Sequence, residues 1–162
     1  ELATNFRLSG LQAAVLMAQL ERLPDQIRVR QQNRRALEAQ LAKTPGVRLQ
    51  AWPEGATCHT HYILTGWVEE NKLGATRDEF VEALNAEGVP IRPFYPHALY
   101  RNPLFRKTPC RRTECPVAEK AVKDSFWLPQ RVLMGTENDA LDVARAVAKV
   151  YEAYRPRSER VQ

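Results

Sequence analysis

The sequence predicts an α+β domain in which a small sheet carries helices on one face. Three observations lead there. Apolar residues recur at helical spacing through the first quarter of the chain, strand-like alternation takes over at Val47, and helix and strand patterns then follow one another to about Tyr154.

Ser9 to Leu23 places apolar side chains at 11, 14, 15 and 18, one face of a helix, and Ser9 with Gln12 has the form of a capping box. Pro24 interrupts the pattern. Because proline is tolerated in a first helical turn, a second helix is expected from about Asp25 to Lys43, with Ile27, Leu37 and Leu41 inward. Pro45-Gly46 ends it. Its Arg and Gln residues at 28, 30, 31, 32, 34 and 35 read as the solvated side of an amphipathic helix rather than a nucleic-acid face. Val47 to Trp52 alternates as a half-buried strand does, and His61 to Val68, rich in aromatic and branched residues, reads as a second strand. Thr76-Arg77-Asp78-Glu79 supplies a complete capping box ahead of Phe80, Val81 and Leu84, and Gly88 closes that helix. Val89 to Phe94 returns as a strand. Tyr95 to Cys115, rich in Pro, Arg and aromatics without a period, is expected to be a long irregular loop on the surface or lining a cleft. A short helix over Val117–Asp124, a strand over Phe126–Leu128 and a last helix over Glu137–Tyr154, capped by Thr136 with Asp139, complete the domain. The expected divisions are a helical segment over 1–44, an α+β domain over 45–155 and a frayed tail over 156–162.

With 44% apolar and 27% charged residues in 162, the composition is that of an ordinary soluble domain, and the formal charge of +5 is scattered along the chain. No apolar run is long enough for a membrane-spanning helix, and the first residues do not resemble an export signal. Three cysteines are too few and odd in number for a disulfide scaffold, which suggests a reducing, cytoplasmic compartment. No metal is expected: Cys110 and Cys115 have no partner pair at zinc spacing, and His59 with His61 lacks a third ligand. Neither a Gly-x-Ser-x-Gly elbow nor a P-loop is present.

Two stretches carry chemistry. In Thr4 to Gly10 an amide, Asn5, and a guanidinium, Arg7, precede a capped helix start, where free N–H groups and the helix dipole attract phosphate. In Ile91 to Arg101, Arg92, Tyr95, His97 and Arg101 place several donors on a proline-stiffened segment, which loses little ordering entropy on binding a polar ligand.

The order of these segments resembles a known family. Asn5-Phe6-Arg7-Leu8-Ser9-Gly10-Leu11-Gln12-Ala13-Ala14 with Ala18-Gln19-Leu20-Glu21-Arg22-Leu23 is similar to the opening signature of the C-terminal portion of DegT/DnrJ/EryC1/StrS aminotransferases. Arg77-Asp78-Glu79-Phe80, Ala86-Glu87-Gly88-Val89, Tyr95-Pro96, Cys115-Pro116-Val117-Ala118-Glu119 and Trp127-Leu128-Pro129-Gln130 follow in the family's order. Tyr100 to Phe105 and the Trp-Leu-Pro-Gln element most resemble the glutamine-dependent scyllo-inosose and 2-deoxy-scyllo-inosose branch.

The resemblance implies the C-terminal small domain of a fold type I pyridoxal-phosphate (PLP) transferase, preceded by two interdomain helices and working as a homodimer with the cofactor shared across its interface. It implies cofactor binding by Asn5 and Arg7, and binding of a keto-sugar or keto-cyclitol and an L-glutamine or L-glutamate donor by Arg92, Tyr95, His97 and Arg101. The family's Schiff-base lysine has no counterpart here, so the chain is expected to hold no catalytic residue and to be inactive alone. Lysines 43, 72, 107, 120, 123 and 149 fall on helix surfaces or loops, where an amine is not desolvated. Neither a nucleic acid nor a membrane is an expected partner. Two other readings remain: a non-catalytic interaction module using the apolar face of the first helices, or an RNA- or DNA-binding domain using the Arg-rich helix.

Overall fold

The computed structural model describes residues 7–105 and 113–156. Asn5, Lys107 and Cys110 lie outside the described residues.

The first element differs from the expected pair of helices. A single helix, α1, runs over Gly10–Leu41 with Pro24 inside it. Its start is the expected capping box: the Gln12 N–H donates to Ser9 Oγ at 3.3 Å and the Ser9 N–H donates to Gln12 Oε1 at 2.9 Å. Proline removes one helical donor. Here Pro24 and Leu20 are both exposed, so water can reach the carbonyl that loses its donor. The buried stripe of α1 is confined to its second half, at Arg30, Asn33, Arg34, Leu37 and Leu41. Arg30 and Arg34 are thus not on the solvated side expected for them, because each has acceptors inside the fold.

β1 spans Val47–Leu49, β2 Ile63–Val68, β3 Arg92–Pro93 and β4 Ser125–Pro129; they form an antiparallel sheet in the order β1-β2-β4-β3. Arg48 stands opposite Trp67, Gly66 opposite Phe126, and Arg92 opposite Trp127. The first and third strands are shorter than expected. Pro93 sits on the edge strand, where a missing N–H is tolerated. Leu64, Gly66 and Val68 face the core, while Thr65 and Trp67 point to the other side. At Gly66 a Cβ would lie 2.6 Å from the Phe126 ring and from the Arg48 carbonyl, so the absence of a side chain lets Phe126 lie across β2.

The remaining helices are α2 (Glu70–Leu73), α3 (Arg77–Ala86), α4 (Pro116–Asp124) and α5 (Glu137–Tyr154), with 3₁₀ turns at Leu99–Arg101, Pro103–Phe105 and Gln130–Leu133. The capping boxes expected at Thr76–Glu79 and Thr136–Asp139 are both formed. α1, α3 and α5 enclose the core with one face of the sheet, around Leu37, Leu73, Phe80, Leu84, Phe126 and Val147. The short helix α4 instead borders a cleft over the opposite face. Among the described residues no helix is long and apolar enough to cross a membrane.

Candidate functional site

β3 is short because the chain leaves the sheet at Phe94, whose N–H still donates to the Ser125 carbonyl at 3.2 Å. From there the proline-rich segment runs outward. Phe94 packs edge-on against Tyr95 with ring centroids 4.6 Å apart, and Ala98 is buried as the segment's footing. Arg92, Tyr95 and His97 remain exposed on this one segment.

Arg101 is placed differently from the other three. Its guanidinium lies 2.6 Å from the Glu119 carboxylate and 5.8 Å from the Tyr100 ring. The Tyr100 hydroxyl donates to the same carboxylate and accepts the Cys115 N–H at 3.3 Å. The Tyr100 hydrogen bond, and after it Arg101, holds the Glu119 carboxyl below the usual carboxylate range. This network fastens the outer loop to the first turn of α4. Sequence reasoning found Arg101 but not Glu119, since only the fold brings them together.

A cleft of about 860 Å³ opens beside the root of this segment. Trp67 and Thr65 form its floor, Val117 and Ala121 of α4 one wall, and Phe94 one end. The Arg48 guanidinium stacks 5.7 Å from the Trp67 ring while pairing with Glu69 at 2.8 Å. Alternation along β2 was the available signal for Trp67, but it does not reveal which helix stands across from it.

Arg7 stands at another end of the molecule, ahead of α1, in a stretch where the helix buries nothing before Arg30. The Ser9–Gln12 cap and the Ala13-to-Ser9 hydrogen bond do not use the first-turn amides of Gly10 and Leu11. Arg7 beside those amides is a donor set suited to a phosphate. No described lysine suits a carbonyl cofactor. Lys43, Lys72, Lys120, Lys123 and Lys149 are all exposed and each has a polar partner. The hydrogen bond to Asp124 holds Lys120 above the ordinary lysine value, the opposite of what a nucleophilic amine needs.

His59 and His61 precede β2 rather than lying in it, and their rings stack 4.2 Å apart. Among the described residues no three His, Cys, Asp or Glu side chains gather as metal ligands.

The chain matches the DegT/DnrJ/EryC1/StrS aminotransferase family over residues 1–148. It is 33% identical over 166 residues to the L-glutamine:2-deoxy-scyllo-inosose aminotransferase of Streptoalloteichus tenebrarius, covering 92% of this chain and 39% of that one. It is 31% identical over 156 residues to the 3-amino-5-hydroxybenzoate synthase of Amycolatopsis mediterranei, covering 90% and 39%. Among solved structures, a 3-amino-5-hydroxybenzoic acid synthase superposes with a TM-score of 0.81 at 27% identity, over 92% of this chain and 40% of that one. Streptomyces venezuelae DesV, in complex with a ketimine intermediate, superposes with a TM-score of 0.76 at 26% identity, over 92% and 38%. The chain thus spans about two fifths of the length of the relatives it matches. On the extent of the family match, the chain belongs to the DegT/DnrJ/EryC1/StrS aminotransferases.

Proposed function

We propose that this chain is the C-terminal part of a PLP-dependent aminotransferase that moves an amino group from L-glutamine or L-glutamate to a keto-sugar or keto-cyclitol. The observation that carries the reading is the family match over residues 1–148, with curated relatives that are named aminotransferases and are more than twice as long. Two features of the fold support it. The apolar side chains on the first half of α1 are exposed, as a helix that packs on another domain or subunit would leave them. The described lysines are exposed and paired, which supports a Schiff-base lysine supplied by the remaining polypeptide.

Bound PLP supplies the electron sink for the exchange of the amino group. The residues of this chain do the holding. Asn5 and Arg7, with the amides that open α1, grip the cofactor phosphate, shared across a homodimer. Tyr95 and His97 present hydrogen-bonding groups to the acceptor, and Arg92 offers a cation for the donor's carboxylate. Arg101 is held by Glu119, so it reaches the substrate only as part of that ion pair.

The test is amination of 2-deoxy-scyllo-inosose with L-glutamine and PLP. The chain alone should give no product, whereas the polypeptide extended at its N-terminus to the relatives' length should give it. In that extended protein Asn5→Ala should weaken PLP retention about tenfold or more, the loss of one charge-assisted hydrogen bond. Turnover by the chain alone overturns the division of labour, and failure of the extended protein on keto-cyclitols and keto-sugars alike overturns the activity.

A further inference from the structure

The segment beyond β3 has little of its own to hold it. Among the described residues 95–105, Ala98 alone is buried, while Leu99 and Leu104 are 74% and 65% exposed. Its two 3₁₀ turns are short, with poorer hydrogen-bond geometry than an α-helix. The backbone hydrogen bonds of residues 95–104 close within the segment. The Arg101 N–H donates to the Ala98 carbonyl at 2.8 Å, the Asn102 N–H to the Leu99 carbonyl at 3.1 Å, and the Leu104 N–H to Asn102 Oδ1 at 3.0 Å. Among the described residues, the polar links from this stretch to the rest of the fold are made by Tyr100 and Arg101, and both reach Glu119.

One oxygen carries that attachment. The Tyr100 hydroxyl donates to Glu119 Oε1, and the Arg101 guanidinium lies 2.6 Å from the same atom. The phenol in turn accepts the Cys115 N–H at 3.3 Å, at the N-cap of α4. An exposed ion pair by itself adds little. Two donors converging on one carboxylate oxygen, one of them the phenol of a half-buried ring, restrict both side chains at once. Tyr95 contributes its edge contact with Phe94, and His97 makes no hydrogen bond among the described residues, so their places follow from what fixes the turn at Leu99–Arg101. Arg92 is held otherwise. It lies within β3 opposite Trp127, and the Phe94 N–H continues the pairing with β4 beyond it.

Resting on the aminotransferase reading above, we propose that Glu119 is a positioning residue for the keto acceptor: its carboxylate fixes the segment that presents Tyr95 and His97, whereas the donor's cation, Arg92, is set by the sheet. The two half-reactions then depend on different supports. Order present before binding removes an entropy that the acceptor's contacts would otherwise have to offset. Glu119 touches neither substrate nor cofactor and moves no proton. A role confined to the first turn of α4, where an acidic side chain suits the helix dipole, would alter both half-reactions or neither.

The test compares Glu119→Ala and Glu119→Gln with the unsubstituted protein. α4 buries no residue, so neither change empties the core, and the melting temperature should move by no more than about a degree or two. In the 162-residue chain, hydrogen exchange of the Arg101 and Asn102 amides should quicken about fivefold or more in Glu119→Ala while the amides of α5 keep their rates. Glu119→Gln keeps an oxygen for the Tyr100 hydroxyl but no charge for Arg101, and should fall between. In the polypeptide extended at its N-terminus to the relatives' length, Glu119→Ala should lower kcat/KM for 2-deoxy-scyllo-inosose about tenfold, through KM, and leave kcat/KM for L-glutamine within about twofold, since in a ping-pong reaction each ratio reports its own half-reaction. Unchanged exchange in the segment overturns the proposal, and so does an acceptor ratio that falls no further than the donor's. An unsubstituted extended protein that aminates no keto-cyclitol or keto-sugar overturns the aminotransferase reading and the acceptor assignment with it; the exchange rates, which need no turnover, tell that failure from a failure of Glu119 to order the segment.

Discussion

Burial, and then the nearness of His59, Arg34 and Arg30, lowers the His61 imidazole from 6.5 to about 4. The unfolded chain takes up a proton near pH 6.5 that the folded protein refuses until about pH 4. The stabilisation is therefore complete above the unfolded value and falls by about 1.4 kcal/mol per pH unit as the pH drops between the two. Urea unfolding should give a free energy about 2 kcal/mol lower at pH 5 than at pH 7. His61→Asn should remove most of that slope, and an unchanged slope would show that the imidazole titrates normally. Nothing in the sequence signalled this. His59 and His61 were legible as a pair without a third ligand, but burial and a left-handed backbone are set by Trp52 and by the arginines of α1, which the chain brings there from a distance. Ser9, Thr76 and Thr136 lie at the other extreme, because a cap is decided by the next three residues and needs no partner from elsewhere.

Elements with local causes were legible and elements with distant causes were not. α5 has its expected bounds, since its cap and apolar stripe lie within its own sequence. The joining of two expected helices into α1 depends on solvent access at Pro24 and Leu20, which periodicity does not report. Arg30 and Arg34 were read as solvated because they are polar. Their spacing with Leu37 and Leu41 is nonetheless that of one helix face, and the Asn33 amide donates to the carbonyls of Leu133 and Gly135 at 3.0 and 2.8 Å. In the sheet, Gly66 is an element-level constraint. Gly66→Ala should destabilise by about 1–3 kcal/mol, since either Phe126 or the pairing of β1 with β2 must shift. Guanidinium unfolding checks this, and adding Phe126→Leu should recover part of the loss if the ring is the obstacle.

Over the whole molecule, the apolar surface is concentrated at one end. Leu11, Val15, Leu16, Met17 and Leu20 are each at least half exposed, on a stretch of α1 that the core does not reach. The isolated chain should associate with itself as its concentration rises, seen by sedimentation velocity. Leu16→Glu with Leu20→Glu should render it monomeric without lowering its melting temperature by more than a degree or two, as befits exposed substitutions. An equally associating double variant would place the contact elsewhere. The fold class was legible in the alternation of patterns, but the sheet order was not, because β2 and β4 are adjacent in space and some sixty residues apart in the chain. That order has a bearing on biosynthesis. The strand joining the two halves of the sheet is the last to be translated, so a nascent chain on the ribosome holds β2 and β3 with open edges until Pro129 has left the exit tunnel. The long α1, which precedes every strand of the sheet and is rich in local contacts, can form well before that closure.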